Sequence, residues 1–201
     1  MVAKQIAARG VRDPTVLAAM RAAPRHEFVP ETLAPRAYQD RALPIGHDQT
    51  ISQPYIVAVM TELLDLRAES RVLEVGTGSG YQAAVLAEIV ACVHTIEIVE
   101  PLLRRAARTF ERLAYRNVFL RFGDGGEGWP DAAPFDAILV AAAPEHVPGP
   151  LFDQLAVGGR LVVPVGKRDQ ELRVYSRGAG GFDERSVVNV RFVPLVGKYG
   201  T

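Results

Sequence analysis

The sequence is poor in the features that mark disulfide-rich, nucleic-acid-binding and membrane proteins. Its 201 residues include one cysteine, Cys92, which excludes an internal disulfide and suits a buried strand position better than a reactive site. The 23 basic and 23 acidic residues cancel, so the overall charge gives no reason to expect DNA or RNA as a partner. No apolar run has the length of a membrane span or of a signal-peptide core. We therefore expect a cytoplasmic protein that binds neither nucleic acid nor membrane.

The length and composition predict one globular domain over residues 1–201 with an N-terminal extension. Apolar residues make up 48% of the chain and charged residues 23%, as in ordinary globular domains. Residues 1–53 are rich in alanine, arginine and proline. The Asp13-Pro14 pair predicts the start of a short helix there, and the prolines that follow favour loops. We interpret residues 1–53 as an extension with a flap, and residues 54–201 as the core that binds a ligand.

From residue 54 onward, segments typical of helices alternate with segments typical of buried strands. This alternation predicts an α/β fold with a doubly wound, mostly parallel sheet covered by helices on both faces. Two further apolar segments around a glycine-rich turn predict an antiparallel edge at the C-terminus. The predicted helices begin at Pro54 and cover 81–90, 101–115 and 148–157; the predicted strands are 71–75, 92–98, 117–122, 135–143, 158–166, 171–178 and 186–195.

A glycine-rich turn follows the first predicted strand, "RVLEV". Gly76, Gly78 and Gly80 carry no side chain, so a ligand can approach the backbone there. Glu97 follows Gly76 by 21 residues (97 − 76) and falls at the end of the second strand. A carboxylate at that position can accept hydrogen bonds from both hydroxyls of a ribose. The sequence therefore predicts a nucleoside site at this edge of the sheet.

The spacing of the glycines indicates which nucleoside derivative is bound. A dinucleotide fingerprint would carry its third glycine at the position of Tyr81. The loop instead has an acidic residue, Glu74, two positions before the first glycine, and it resembles the S-adenosylmethionine loop of class I methyltransferases. After the third strand, Asp124 could accept a hydrogen bond from the adenine amino group; alternatively, residues 123–126 form only a turn.

With these elements placed, the chain resembles the protein-L-isoaspartate O-methyltransferase family along nearly its whole length. The segments "ALPIGHDQTISQPYIVAVMTELL", "RVLEVGTGSGYQAAVLA", "GDG", "APFDAILVAAAP", "GGRLVVPVG" and "RFVPL" occur in the family's order and spacing. The resemblance implies a Rossmann-like methyltransferase fold and a monomer that uses S-adenosyl-L-methionine as cofactor. It implies methyl transfer to the carboxylate of L-isoaspartyl residues in damaged proteins and peptides, after which the ester closes to a succinimide.

The resemblance also implies roles for individual residues. Ser52 matches the family's active-site serine in the T-I-S motif, although on local sequence it could equally be the N-cap of the helix that follows Pro54. Gly126 departs from the family, whose members often have an aromatic residue there, and this affects the adenine side. The implied substrate-binding residues are Thr50, Ile51, Ser52, Val193, Pro194 and Leu195, and the implied cofactor-binding residues are Glu74, Gly76, Thr77, Gly78, Glu97, Asp124 and Gly125.

The implied reaction explains why no acid-base pair is evident in the motifs. A carboxylate with a reference pKa of roughly 4 is ionised at neutral pH, so its attack on a methyl group needs no general base. The four histidines share no metal-ligand spacing, which predicts that no metal is bound, and only His47 borders the motif around Ser52.

Three other functions compete with this interpretation. An amino methyltransferase would usually carry an Asn/Asp-Pro-Pro-aromatic motif after the fourth strand, where this chain has "AAAPEH". An NAD-dependent oxidoreductase is disfavoured by Tyr81 in the glycine-rich turn. A nucleoside sensor without catalysis would bind the cofactor but would not methylate an isoaspartyl peptide.

Overall fold

The structure, a computed structural model, describes residues 1–200 and consists of one large sheet, one small hairpin and the helices that cover them. The α-helices are Pro14–Ala22 (α1), Pro54–Leu63 (α2), Tyr81–Ala87 (α3), Glu100–Arg112 (α4) and Gly149–Asp153 (α5). The strands are Leu43–Gly46 (β1), Gln49–Ile51 (β2), Arg71–Val75 (β3), Cys92–Glu97 (β4), Val118–Phe122 (β5), Phe135–Val140 (β6), Leu155–Val165 (β7), Gln170–Gly178 (β8) and Gly181–Val190 (β9).

The large sheet has seven strands in the order β5-β4-β3-β6-β7-β8-β9. Strands β3 to β7 pair in parallel, whereas β8 and β9 pair antiparallel at one edge. The predicted fold class is therefore confirmed. The strand order reverses between β3 and β6, so the connections after these two strands leave in opposite directions and open a crevice at their carboxyl ends.

The segment before residue 54 is more ordered than the sequence predicted. Asp13 caps α1, since its carboxylate accepts hydrogen bonds from the backbone N–H groups of Thr15 and Val16. Further on, β1 and β2 form a hairpin where loops were predicted. His47 and Asp48 make its two-residue turn with φ angles of 54° and 56°, the left-handed backbone that such hairpins require.

Apolar side chains of the N-terminal segment belong to the main hydrophobic core. Ile6, Met20 and Phe28 are buried in the same cluster as side chains of α2, α3 and the sheet. A second cluster, around Phe135 and Leu161, fills the opposite face of the sheet. Moving residues 1–28 away from the core would expose this apolar surface to water, which is unfavourable. The division at residue 53 remains a prediction, and Thr201 lies outside the described residues.

Three sequence predictions are corrected around the sheet. The helix predicted over 148–157 ends at Asp153, because the Phe135 N–H donates to the Gln154 carbonyl and Leu155 already pairs with Phe135 in the sheet. Strand β9 ends at Val190, before the predicted 195, because Val193 and Leu195 bond instead to Ala143. Cys92, expected to be buried, is half-buried at the first position of β4.

Within residues 1–200, no helix has the length and apolar character needed to cross a membrane.

Candidate active site

A cavity lies at the carboxyl ends of the parallel strands, where the strand order reverses. Its walls come from the turns after β3, β4 and β6, from the segment that follows β2 and from the chain beyond β9. Among the described residues that line it, Glu97 is the only one with a charged side chain. The sequence-predicted residues in its lining are Thr50, Ile51, Ser52, Gly76, Thr77, Gly78, Glu97, Gly125, Val193, Pro194 and Leu195.

The glycine-rich turn is held in place by the neighbouring strand β4. Gly76 has a φ angle of 94°, a left-handed conformation that favours glycine. The N–H groups of Gly76 and Thr77 donate to the carbonyl of Ile96 over 2.9 and 3.1 Å. The turn is therefore fixed by main-chain bonds to the next strand, and the cavity side of its backbone is open to a ligand.

Glu97 joins the turns that follow β3 and β4. Its Oε2 accepts a hydrogen bond from the Gly78 N–H at 2.7 Å, and its Oε1 accepts one from the Val99 N–H at 2.9 Å. Each carboxylate oxygen can accept about two hydrogen bonds, so each keeps capacity for one more. The side chain thus has the fixed orientation and the free acceptors that two ribose hydroxyls would need.

Glu74 lies beneath the glycine-rich turn and does not line the cavity. Its Oε2 accepts a hydrogen bond from the Thr95 hydroxyl at 2.5 Å, and the Thr95 hydroxyl lies 2.7 Å from that of Thr77. Burial raises the pKa of Glu74 to about 8. The side chain is therefore mostly protonated at neutral pH and adds little negative charge next to Glu97. Through Thr95, Glu74 supports the turn from below. A direct contact between Glu74 and the cofactor remains a prediction.

Asp124 follows β5 and makes contacts with the chain on both sides. Its Oδ1 accepts a hydrogen bond from the Gly126 N–H at 2.8 Å, and its Oδ2 accepts one from the Lys198 N–H at 2.6 Å. The first bond closes a turn, and this turn is compatible with both interpretations of the segment. Asp124 does not line the cavity, whereas Gly125 does. A role for Asp124 in adenine binding remains a prediction that this geometry permits, because each oxygen can accept another bond.

The C-terminal segment lies against the turn that contains Gly126. A Cβ atom at Gly126 would lie 2.8 Å from Cδ2 of Tyr199, so the two residues are in close contact. The Lys198 ammonium lies 3.7 Å from the Glu127 carboxylate. An aromatic ring from the C-terminal segment therefore packs against the position where the resembled family often has its own aromatic residue.

Ser52 lies between β2 and α2 and lines the cavity. The N-cap of α2 is Gln53, so the N-cap interpretation of Ser52 is wrong. The Tyr55 N–H in the first turn of α2 instead donates to Oδ1 of Asp40 at 3.2 Å. Within residues 1–200, the Ser52 hydroxyl has no hydrogen-bond partner, and it is therefore available to a ligand in the cavity.

A surface groove joins the cavity at Ser52. The groove shares Thr50, Ser52, Ala141 and Val193 with the cavity and continues along residues 189–192, at the end of β9 and just after it. The segment around Val193 is fixed because its carbonyl accepts from the Ala143 N–H at 2.8 Å. A small ligand in the cavity and an extended chain in the groove would therefore meet at the Ser52 hydroxyl.

Some residues at or near the cavity have no sequence signal, and one histidine next to the T-I-S motif lies away from it. Gln82 and Ala142 line the cavity, but each lies in a segment whose apolar or helical pattern indicates only packing. Arg25 contacts the main chain of Ser52, and no motif marks it. His47 is exposed in the β1–β2 turn and lines none of the cavity. Residues 1–200 contain no cluster of three or more histidine, cysteine or acidic side chains able to hold a metal ion.

The sheet order, the glycine-rich turn after β3 and the acidic residue at the end of β4 together define a class I methyltransferase fold. A sequence model of the family described as protein-L-isoaspartate(D-aspartate) O-methyltransferase matches residues 1–200. The chain belongs to this family.

Relatives and solved structures agree with this assignment. A protein-L-isoaspartate O-methyltransferase of Gloeobacter violaceus is 58% identical over 97% of this chain and 96% of its own length. One from Picosynechococcus is 55% identical over 100% of this chain and 90% of its own length. A protein-L-isoaspartate O-methyltransferase structure has a TM-score of 0.88 at 31% identity, covering 96% of this chain and 64% of that longer chain. A structure from Plasmodium falciparum assigned to the same family, in complex with S-adenosyl-L-homocysteine, has a TM-score of 0.85 at 25% identity. The match covers 97% of this chain and 96% of that chain.

Proposed function

We propose that this protein transfers a methyl group from S-adenosyl-L-methionine to the α-carboxylate of L-isoaspartyl residues in damaged proteins and peptides. The observation that carries the proposal is the place of Ser52, whose unpaired hydroxyl lies where the nucleoside cavity meets an open groove. The family match over residues 1–200 supports the same conclusion. The role of the enzyme is repair, since the methyl ester closes to a succinimide that reopens partly to normal aspartate.

The residues that line the cavity fit this cofactor. Glu97 has acceptors for the ribose hydroxyls, and Gly125 with Asp124 borders the adenine side. The open backbone from Gly76 to Gly78, together with Thr77, accommodates the rest of the molecule. When bound, S-adenosyl-L-methionine supplies a methyl group on a positively charged sulfur. The cavity suits such a cation because Glu97, the one charged side chain among its described lining residues, is negative.

Positioning, rather than acid-base chemistry, is the contribution of the chain to the reaction. The attacking carboxylate is already ionised at neutral pH, because its pKa is roughly 4. The Ser52 hydroxyl donates a hydrogen bond to one carboxylate oxygen and holds the other for attack on the methyl carbon. Ser52 keeps its proton throughout, and no covalent intermediate with the protein forms.

The groove provides the place for the peptide. Thr50, Ile51 and Ser52 form one side of the junction, and Val193 with Pro194 and Leu195 forms the other. Discrimination arises because isoaspartate adds a methylene to the main chain and leaves the α-carboxylate as its side group, so a site shaped around that backbone rejects aspartate geometrically. We further propose that the enzyme is a monomer and that it acts in the cytoplasm, where proteins without disulfides are the rule.

Methyl transfer to a matched pair of peptides tests this function. The two peptides share one sequence, and they carry either aspartate or L-isoaspartate at one position. With S-adenosyl-L-methionine labelled in its methyl group, we expect base-labile label on the isoaspartyl peptide and essentially none on the aspartyl peptide. Equal labelling of both peptides would contradict the substrate assignment. Cofactor binding without labelling of either peptide would identify a nucleoside sensor instead.

A further inference from the structure

Arg25 is a buried arginine directly behind the candidate active site. It opens the short 3-10 turn Arg25–Phe28, and its side chain is fully buried. Within residues 1–200, no carboxylate lies within ion-pair distance of its guanidinium. Burial lowers its pKa to about 10, so the group is still a cation at neutral pH. Keeping a buried cation without a direct ion pair is unfavourable, and an apolar side chain would serve better if Arg25 had only a packing role.

The guanidinium of Arg25 connects three segments, two of which line the cavity. Its Nη2 donates to the main-chain carbonyl of Ser52 at 2.7 Å, and its Nε donates to the carbonyl of Ala37 at 2.7 Å. Its Cζ lies 4.7 Å from the ring centroid of Tyr81, the first residue of α3 and part of the cavity wall. Only the planar, five-donor guanidinium can make these contacts together; a lysine ammonium has no comparable fork.

Asp40 fixes the same peptide segment from a second direction. Its Oδ2 accepts a hydrogen bond from the Gln53 side-chain amide at 2.9 Å, and its Oδ1 accepts the Tyr55 N–H. The carbonyl of Ser52 and the side chain of Gln53 are therefore both held, whereas the Ser52 hydroxyl is left free. Both supports come from the segment before residue 54, which explains how that segment affects a site built on the sheet.

We propose that Arg25 is a positioning residue for methyl transfer. It holds the Ser52 carbonyl and thereby places the Ser52 hydroxyl where it can orient the substrate carboxylate. This inference rests on the proposed function. It assigns to the N-terminal segment the task of aligning the nucleophile, in addition to its part in the hydrophobic core. Arg25 itself touches neither substrate nor cofactor.

A double-mutant cycle with the full-length protein tests the inference. Arg25→Lys keeps the charge and most of the volume but loses the planar guanidinium with its several N–H donors. We therefore expect kcat toward the isoaspartyl peptide to fall by about tenfold to a hundredfold. KM for S-adenosyl-L-methionine should be unchanged, because Arg25 does not line the cavity. In a Ser52→Ala background, Arg25→Lys should cause no further loss of kcat, because the arginine acts through Ser52.

Two control variants separate positioning from general stability. Arg160→Lys removes an arginine that bonds to the Leu63 carbonyl at the other end of α2, and it should keep wild-type kcat. Leu161→Ala lowers the melting temperature by opening a cavity on the opposite face of the sheet, and below its melting range it should keep wild-type kcat too. A wild-type kcat for Arg25→Lys, or losses that simply multiply with those of Ser52→Ala, would overturn the inference alone. A wild-type protein that fails to label the isoaspartyl peptide would overturn the proposed function and this inference with it.

Discussion

The proposed cofactor half of the site, the turn after β3 with Glu97, and its proposed substrate half, residues 50–52 and 193–195, are held by contacts of different sequence separation. In the cofactor half, the turn after β3 bonds to the end of β4, as in the Gly78 N–H to Glu97 contact, which spans 19 residues between adjacent strands. In the substrate half, the Arg25 contact with Ser52 spans 27 residues, and the bonds of Ala143 with Val193 and Leu195 span 50 and 52 (193 − 143, 195 − 143). The first half is a single β-α-β unit formed by β3, α3 and β4, and the second is assembled from distant segments.

This difference predicts how substitutions divide between the two halves. Changes in the cofactor half should alter cofactor affinity, because the affected residues offer acceptors and open backbone directly to the ligand. Changes in the substrate half should alter turnover and leave cofactor affinity intact, because its residues align groups during the reaction. A substitution that lowers cofactor affinity and turnover equally would show that the two halves are not independent.

Ser52→Ala is expected to have the largest effect, and it tests the substrate half. Loss of the hydroxyl removes the bond that orients the attacking carboxylate, so single-turnover methylation should slow by about 10²-fold to 10³-fold, the scale for one lost transition-state donor. The melting temperature should change little, since Ser52 does not cap α2. Cofactor affinity, measured by calorimetry, should also be unchanged.

Ser52→Thr is the matched control for this prediction, because threonine retains a hydroxyl and part of the activity should remain. A destabilised Ser52→Ala protein with normal single-turnover chemistry would contradict the catalytic assignment. Weakened cofactor binding in the same variant would break the proposed separation between the two halves.

Glu97→Ala is expected to have the next largest effect, and it tests the cofactor half. The substitution removes the acceptors proposed for the ribose and also frees the N–H groups of Gly78 and Val99. S-adenosyl-L-methionine should bind more weakly by about 1–3 kcal/mol, the scale for hydrogen bonds to a charged group. Calorimetry measures this loss directly. Turnover at saturating cofactor should fall far less than in Ser52→Ala.

The exposed Glu100 offers a control close to Glu97 in the sequence. Glu100→Ala removes a carboxylate that pairs with Arg104 on the surface of α4, and surface pairs of this kind contribute little. Its cofactor affinity should equal that of the wild type. Equal affinities for Glu97→Ala and Glu100→Ala would contradict the proposed nucleoside site.

The same division explains how much could be predicted from the sequence. The turn after β3 and Glu97 are visible as a motif, because strand ends, glycines and an acidic residue recur at a spacing that the parallel sheet imposes. The fold class follows from the alternation of helices and strands. Ser52 was identified through the family resemblance, since local chemistry alone suited an N-cap equally well.

What could not be predicted depends on contacts between distant segments. Arg25 resembles any surface arginine in sequence, and only the packing of residues 1–28 onto the sheet buries it against Ser52. The end of α5 was misplaced because Leu155 pairs with Phe135, a tertiary contact that overrides a helical pattern. The hairpin turn at His47 and Asp48 lacks the glycine that usually marks such turns, so it was predicted as a loop.

Gly126→Ala is expected to have the smallest effect, and it sharpens the comparison at the border of the cofactor half. A Cβ at this position would lie 2.8 Å from Cδ2 of Tyr199 and 3.2 Å from Oδ1 of Asp124, so the ring or the turn must shift. Overpacking in a rigid core costs about 1–3 kcal/mol, but the nearest atom here belongs to the ring of a tyrosine side chain, which can rotate. Cofactor affinity should therefore fall by less than about 1 kcal/mol, measured by calorimetry.

Gly123→Ala is the matched control in the same turn, because its Cβ would meet no atom within 4 Å. If both alanine variants bind the cofactor equally, Tyr199 has no part in shaping the adenine side; if only Gly126→Ala binds more weakly, the cofactor half also depends on a distant segment.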